Sequence, residues 1–266
     1  MSSRIIIVVP TMNTKQDVAR QLQVPPELVH YVRNTPESNL GVVGSLQAGY
    51  ERTTEPIIAC IHDDVIVHDS NWIERVLTEF DDPEVGVVGF CGALAHGADD
   101  LYKVPYRLND LARFGVLSNM DDAEVHGERF TGSHDVAVLD GFSLIVRRSL
   151  LDACGGWHPE RWTAHHLYDY VICAQARRFG YRVRVVGVAS RHIGGVTATS
   201  SVYQEWATGT KWGSDVNMHI AGHRMFYDEF TDVMPWRVED TRYEHGAGCD
   251  LAATGDGRVL DASGAD

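Results

Sequence analysis

The densest group of reactive side chains follows an apolar run. Residues 57–61 lead into His62-Asp63-Asp64-Val65, which sets two adjacent carboxylates at the C-terminal end of an expected buried strand, where open α/β sheets bind ligands. Such a pair suits a hard divalent cation that also holds a diphosphate. The same acids equally read as a turn capping the next helix. A second group is Gly155-Gly156-Trp157-His158-Pro159-Glu160, then His165-His166-Leu167-Tyr168-Asp169 and a helical pattern. Asp169 stands where an N-cap would stand. A carboxylate at a helix start stays ionised and can accept a hydroxyl proton. His192 follows a strand pattern and precedes Gly194-Gly195; in isolation such a histidine is more often structural than a metal ligand. His158, His165 and His166 fit neither HExxH nor a paired-finger spacing and are expected in solvent or a cleft. Trp157 reads as a cleft wall or core aromatic, and Tyr203, Trp206 and Trp212 as core packing.

The elements that must position these groups alternate. Apolar patterns predict strands over 4–9, 27–32, 57–61, 85–90 and 181–188, with order returning at 136–147. Helical spacing covers 13–22, 38–52 (N-cap Ser38 or Asn39), 72–80, 149–154, 169–179, 202–212 and 216–230. Strands without period-two alternation, separated by helices, predict an α/β fold around a central, mostly parallel sheet buried on both faces. The stretch 92–135 shows weak periodicity, and a loop of that length inside a domain is more often functional than decorative. From Glu239 onward the chain is rich in Gly, Ala and Asp and reads as a flexible tail.

The chain has 266 residues and a formal net charge of −14, a length that permits one large domain or two small ones with a substantial core. That charge argues against a basic nucleic-acid-binding face and against adhesion to an anionic membrane surface. No run approaches the roughly 20 apolar residues of a membrane span, and the N-terminal apolar run is too short for a signal sequence. Five scattered cysteines without CxxC spacing read as reduced thiols in a cytoplasmic protein.

Taken in order, the segments IIIVVPTMN, NLGVVGSLQAGY, IACIHDDV, DGFSLIVRRSLLDACGGW, LYDYVICAQARRFGYRV and His192 resemble the GT-A glycosyltransferases of the inverting family-two type over roughly residues 4–200. Within that family the chain looks closest to compact bacterial members whose acidic motif begins with His, streptomycin-cluster-type proteins among them. The resemblance implies a Rossmann-like nucleotide-diphospho-sugar transferase fold. It makes Asp64 the metal-binding acid, His192 the distal histidine of the metal site, and Asp169 the catalytic base. Asp63 falls near the ribose or diphosphate, and Pro10, Thr11 and Asn13 where the nucleoside packs. Two positions depart from the family pattern. Asn34 stands near the place of an Asp that hydrogen-bonds uracil, which leaves the base open, and Tyr168 stands where Glu is common.

The resemblance implies a metal-dependent, inverting transfer of sugar from a nucleotide-sugar donor to the hydroxyl of a small-molecule or glycan acceptor, with Mn2+ or Mg2+ as cofactor. The segment 194–200 would close over the donor. The expected organisation is one domain over 1–238, with a nucleotide-binding half (1–92), an acceptor and catalytic half (93–200) and C-terminal helices (201–238). Residues 239–266 form the tail, and the assembly is open, a homodimer included. A catalytically inactive nucleotide-sugar-binding partner or regulator is the alternative; Asp64, Asp169 and His192 together argue against it. A phosphoryl or nucleotidyl transferase lacks a GxxxxGKS loop here.

Overall fold

Burial alternates along the first strand: Ile6 and Val8 join the core on one side of the sheet, and Ile5, Ile7 and Val9 join the core on the other. A strand apolar on both faces belongs in the middle of a layered fold, and the computed structural model places it there. The structure describes residues 3–13, 17–96, 116–120, 127–194, 200–233 and 236–238. The first half comprises β1 (Ile5–Thr11), α1 (Val18–Gln21), β2 (Val29–Arg33), α2 (Gly41–Arg52), β3 (Ile57–Ile61), β4 (Val65–Val67), α3 (Trp72–Glu79) and β5 (Val85–Gly89). Short strands β6 (Cys91–Ala93), β7 (Ala95–His96), β8 (Val116–Ser118), β9 (Ser133–Asp135) and β10 (Val138–Leu139) follow. Then come β11 (Ser143–Arg147), α4 (Arg148–Cys154), α5 (Tyr168–Arg178), β12 (Arg182–Val186), β13 (Ser190–His192), α6 (Ser201–Gly209), α7 (Asp215–Glu229) and β14 (Trp236–Arg237).

Seven strands form the main sheet in the order β2-β1-β3-β11-β5-β12-β9. β1 runs parallel to β2 and β3, and β5 parallel to β12, while β11 and β9 run against their neighbours. The sheet is therefore mostly parallel, as the patterning predicts. Val43 and Leu46 of α2, Leu150 and Leu151 of α4, and Ile172 and Ala176 of α5 cover one face. Val18 of α1 and Trp72 and Val76 of α3 cover the other.

The differences from the expected elements have local causes. The helix expected over 13–22 is described only as Val18–Gln21, opened by Asp17, whose carboxylate accepts the Arg20 N–H; residues 14–16 lie outside the described chain. The strand expected at 27–32 begins with a 3-10 turn, Pro26–Leu28, because proline at a helix start favours a turn first. The helix expected from Ser38 opens only at Gly41, whose φ of +68° suits glycine, and a Cβ there would lie 2.6 Å from the Ala164 carbonyl oxygen. Asn39 Oδ1 accepts the Gly41 N–H at 2.9 Å and Asn34 Oδ1 accepts the Leu40 N–H at 2.9 Å, so side chains before the helix do the capping. Most of 92–135, the segment 195–199 and the tail 239–266 lie outside the described residues.

Candidate active site

β1 leads to β2 on one side and β3 lies on its other side, so the chain changes direction between β1 and β3 and opens a crevice at their C-terminal ends. Thr11 closes β1 and His62-Asp63-Asp64 follow β3. The Thr11 hydroxyl donates to Asp63 Oδ2 at 2.5 Å across this crevice and accepts the Asn13 N–H at 2.9 Å. Burial pushes the Asp63 carboxyl above its ordinary range, against the Thr11 hydrogen bond.

Opposite this edge, β13 pairs antiparallel with β4, setting His192 against Val65. That register brings His192 Nε2 to 3.3 Å from Asp64 Oδ1, and the Gly194 N–H donates to Asp64 Oδ2 at 3.1 Å. Burial raises the Asp64 carboxyl, but the hydrogen bond and charge of His192 outweigh it and leave the group below the ordinary carboxylate range. His62 follows β3 directly and Asp64 closes the turn that leads into β4, and His62 completes the set. Ligand atoms of His62, Asp64 and His192 all lie within 4.8 Å of one another. Burial, then the charge of His192, pushes His62 down to about 4, so its imidazole is neutral and able to ligate at neutral pH. Two imidazoles and one carboxylate make a nitrogen-and-oxygen donor set suited to a first-row divalent ion such as Mn2+. The residues fit a cation, and His62 joins the pair that the resemblance named. The signal for it was its place two residues before Asp64.

The remaining acid comes from the helix side. α5 begins at Tyr168, and Leu167 before it holds a left-handed φ of +61° with no side-chain cap. Asp169 is thus in the first turn and is not the N-cap, which corrects the expectation from sequence. Nor does it behave as an easily ionised terminal carboxylate. Burial first, then the charge of Asp140, raises it to about 7, although N–H groups of Tyr170 and Gly141 favour the charged form. Desolvation outweighs the helix start here. A carboxyl poised near 7 is well matched to general-base work. Gly141 ties this helix to the sheet. Besides its N–H at Asp169, its carbonyl accepts the Tyr168 hydroxyl at 3.2 Å, and Tyr168 Oη lies 2.7 Å from His62 Nε2.

Other expected residues fall as follows. Asn34 is buried at the end of β2, where its Nδ2 donates to Ser45 Oγ at 2.9 Å while its Oδ1 serves Leu40. Pro10 and Thr11 end β1, and Asn13 lies exposed just beyond. Trp157 and Trp162 are buried. His158 bridges Glu160 and the Cys154 carbonyl. His166 Nε2 is 2.6 Å from Asp215 Oδ1, to which the Tyr203 hydroxyl also donates. Tyr203 is buried in a small cluster that Trp206 and Trp212 pack against, in keeping with the core reading. Cys60, Cys91, Cys154 and Cys173 are free thiols, and Cys249 lies outside the described residues. Among the described residues no helix is long and apolar enough to cross a membrane.

An acid-and-histidine site at the switch point of a mostly parallel sheet defines an α/β protein whose ligand crevice lies at the C-terminal ends of its strands. The sequence profile described as glycosyltransferase like family 2 matches residues 1–214, and the chain belongs to that family. It is a glycosyltransferase with the GT-A fold. No curated protein matches its sequence. Among solved structures it is similar to A197 from STIV, 13% identical over 73% of this chain and 87% of that one, with a TM-score of 0.46. It is also similar to the mannosyltransferase PcManGT from Pyrobaculum calidifontis in complex with GDP-Man and Mn2+, 15% identical over 83% of this chain, TM-score 0.47. GalNAc-T7 with UDP, GalNAc and Mn2+ is 10% identical over 86% of this chain, TM-score 0.49. The chain spans 62% and 57% of the lengths of the last two.

Proposed function

We propose that this glycosyltransferase is cation-dependent and inverting, moving a sugar from a nucleoside-diphosphate donor to an acceptor hydroxyl. The observation that carries the reading is the convergence of His62, Asp64 and His192 at the β1/β3 crevice, with the partly buried carboxyl of Asp169 joined to the same edge through Gly141 and Tyr168. His62, Asp64 and His192 would hold Mn2+ or Mg2+, which supplies positive charge against the departing diphosphate. In a protein of net charge −14 a diphosphate needs such a counter-charge.

The nucleoside packs at the end of β1, against Pro10, Thr11 and Asn13, with Asn34 at the end of β2 and Asp63 facing the ribose or diphosphate. Asp169 takes the proton from the acceptor hydroxyl as its oxygen attacks the anomeric carbon on the face opposite the leaving diphosphate, and configuration inverts. Orientation of the two substrates supplies a further part of the rate. Thermal-shift measurements with UDP, GDP, TDP and CDP, each with and without Mn2+, test the reading, since a ligand that binds only the folded state raises the Tm. One diphosphate should do so in Mn2+ only, and Asp64→Ala should abolish that effect. Stabilisation independent of Mn2+ and of Asp64 would overturn the cation's part. Donor binding without turnover against any acceptor or water would favour a binding partner that has lost transfer.

A further inference from the structure

His62 has two ring nitrogens, and a neutral imidazole carries a proton on only one of them. Which one is decided by the group at the far side. Nε2 lies 2.7 Å from the Tyr168 hydroxyl, and that hydroxyl donates its single proton to the Gly141 carbonyl at 3.2 Å. A carbonyl oxygen only accepts, so a hydroxyl that donates to it leaves its own oxygen to receive a proton from His62, whereas a hydroxyl that donated to Nε2 would give the Nδ1–H tautomer. The chain of donors runs from His62 Nε2–H to Tyr168 Oη–H to the Gly141 carbonyl. Nδ1 then keeps its lone pair.

We propose that Tyr168 is a positioning residue that locks His62 in the Nε2–H tautomer and leaves Nδ1 as the nitrogen offered to the cation. This rests on the reading that His62, Asp64 and His192 hold a cation. A histidine ligand almost always donates its other ring N–H to a fixed acceptor, which sets ring orientation and raises its basicity. Tyr168 meets that need from a buried position, 8% exposed, and its hydroxyl is held by backbone at Gly141. A Cβ on Gly141 would collide with Tyr168 Oη, so glycine is required for the ring to reach His62. The other histidine group shows what the lock adds. His219 and His223 face each other with Nε2 atoms 3.0 Å apart, yet His223 Nδ1 is buried without a hydrogen-bond partner. A ligating His223 would carry its proton on that orphaned nitrogen.

The test is 15N NMR of the histidine-labelled protein, with Tyr168→Phe and His62→Ala as comparators and Mn2+ as the probe. In the wild type His62 should show a protonated Nε2 and a bare Nδ1. Tyr168→Phe should fold, lose the single tautomer, and bind Mn2+ about 10- to 100-fold more weakly by EPR titration. In a His62→Ala background Tyr168→Phe should change Mn2+ affinity no further, which a merely structural tyrosine would not obey. A protonated Nδ1 in the wild type, or unchanged Mn2+ affinity in a folded Tyr168→Phe variant, overturns this inference alone. Failure of the wild type to bind Mn2+ overturns the cation's role in both readings.

Discussion

Replacing Asp169 by Asn separates a catalytic carboxyl from a structural one, because the two roles move stability in opposite directions. The carboxyl rises from 3.8 to about 7, through burial first and the Asp140 charge second. At ~1.4 kcal/mol per unit, keeping it ionised above pH 7 costs the fold ~4 kcal/mol. The sign follows from proton counts: between 3.8 and about 7 the folded state holds the proton and the unfolded state has lost it. Wild-type stability therefore declines as pH rises through that window and levels off above it. The neutral amide of the Asp169→Asn variant carries no such penalty. Melting curves without added cation should coincide near pH 4, and at pH 8 the variant should melt about 8–16 °C higher, at roughly 2–4 °C per kcal/mol for a chain of this size. Transfer, followed as released nucleoside diphosphate, should fall about 10²- to 10⁴-fold. A variant that melts lower than wild type at pH 8, as loss of a favourable ionised helix-start group would give, or one that keeps full transfer activity, refutes the assignment.

Asp140→Asn removes the charge that ranks second in raising Asp169, so the acid limb of kcat/KM should move to lower pH and activity at pH 6 should rise relative to pH 8; an unmoved limb would show that another group titrates. Gly141→Ala drives a methyl into Tyr168 Oη and should cost about 1–3 kcal/mol of stability, with a weaker Mn2+ affinity measured by EPR titration. Asn34→Ala strips partners from Ser45 and from the Leu40 N–H and should lower stability by about 1–3 kcal/mol in urea titration; a loss below a few tenths would mean that water replaces the amide.

The strands at 57–61 and 85–90 and the helices at 72–80 and 202–212 were legible because each is a local pattern: apolar runs bounded by Pro, Asp or Gly, and apolar faces at helical spacing. Boundaries failed where a distant atom decided them. α2 opens at Gly41, where a side chain would collide with the carbonyl of Ala164, more than 120 residues away in sequence. The reversed strand β11 was equally hidden. Residues 144–146 are apolar whichever way the strand runs, and only pairing with β3 and β5 shows the direction.

The site divides along the same line. Asp64 and Asp169 could be found from residue type and position, since acids at a strand end and near a helix start are local features. Their states could not. Asp64 is held low by His192, 128 positions away, and Asp169 is raised by burial and by Asp140, from a different loop. Read from its helix alone, Asp169 should ionise easily; within the folded chain it titrates near neutrality. His62 and Tyr168 show the most consequential case. Each looks ordinary beside its acidic neighbour, and Tyr168 departs from the family pattern where Glu is common. Their 2.7 Å contact joins that departure to the acidic motif, so that a histidine beside the acidic pair meets a side chain placed to set its tautomer. The chemistry of the acids is written in single segments, whereas the control of that chemistry is written between them, in pairs that only the fold brings together.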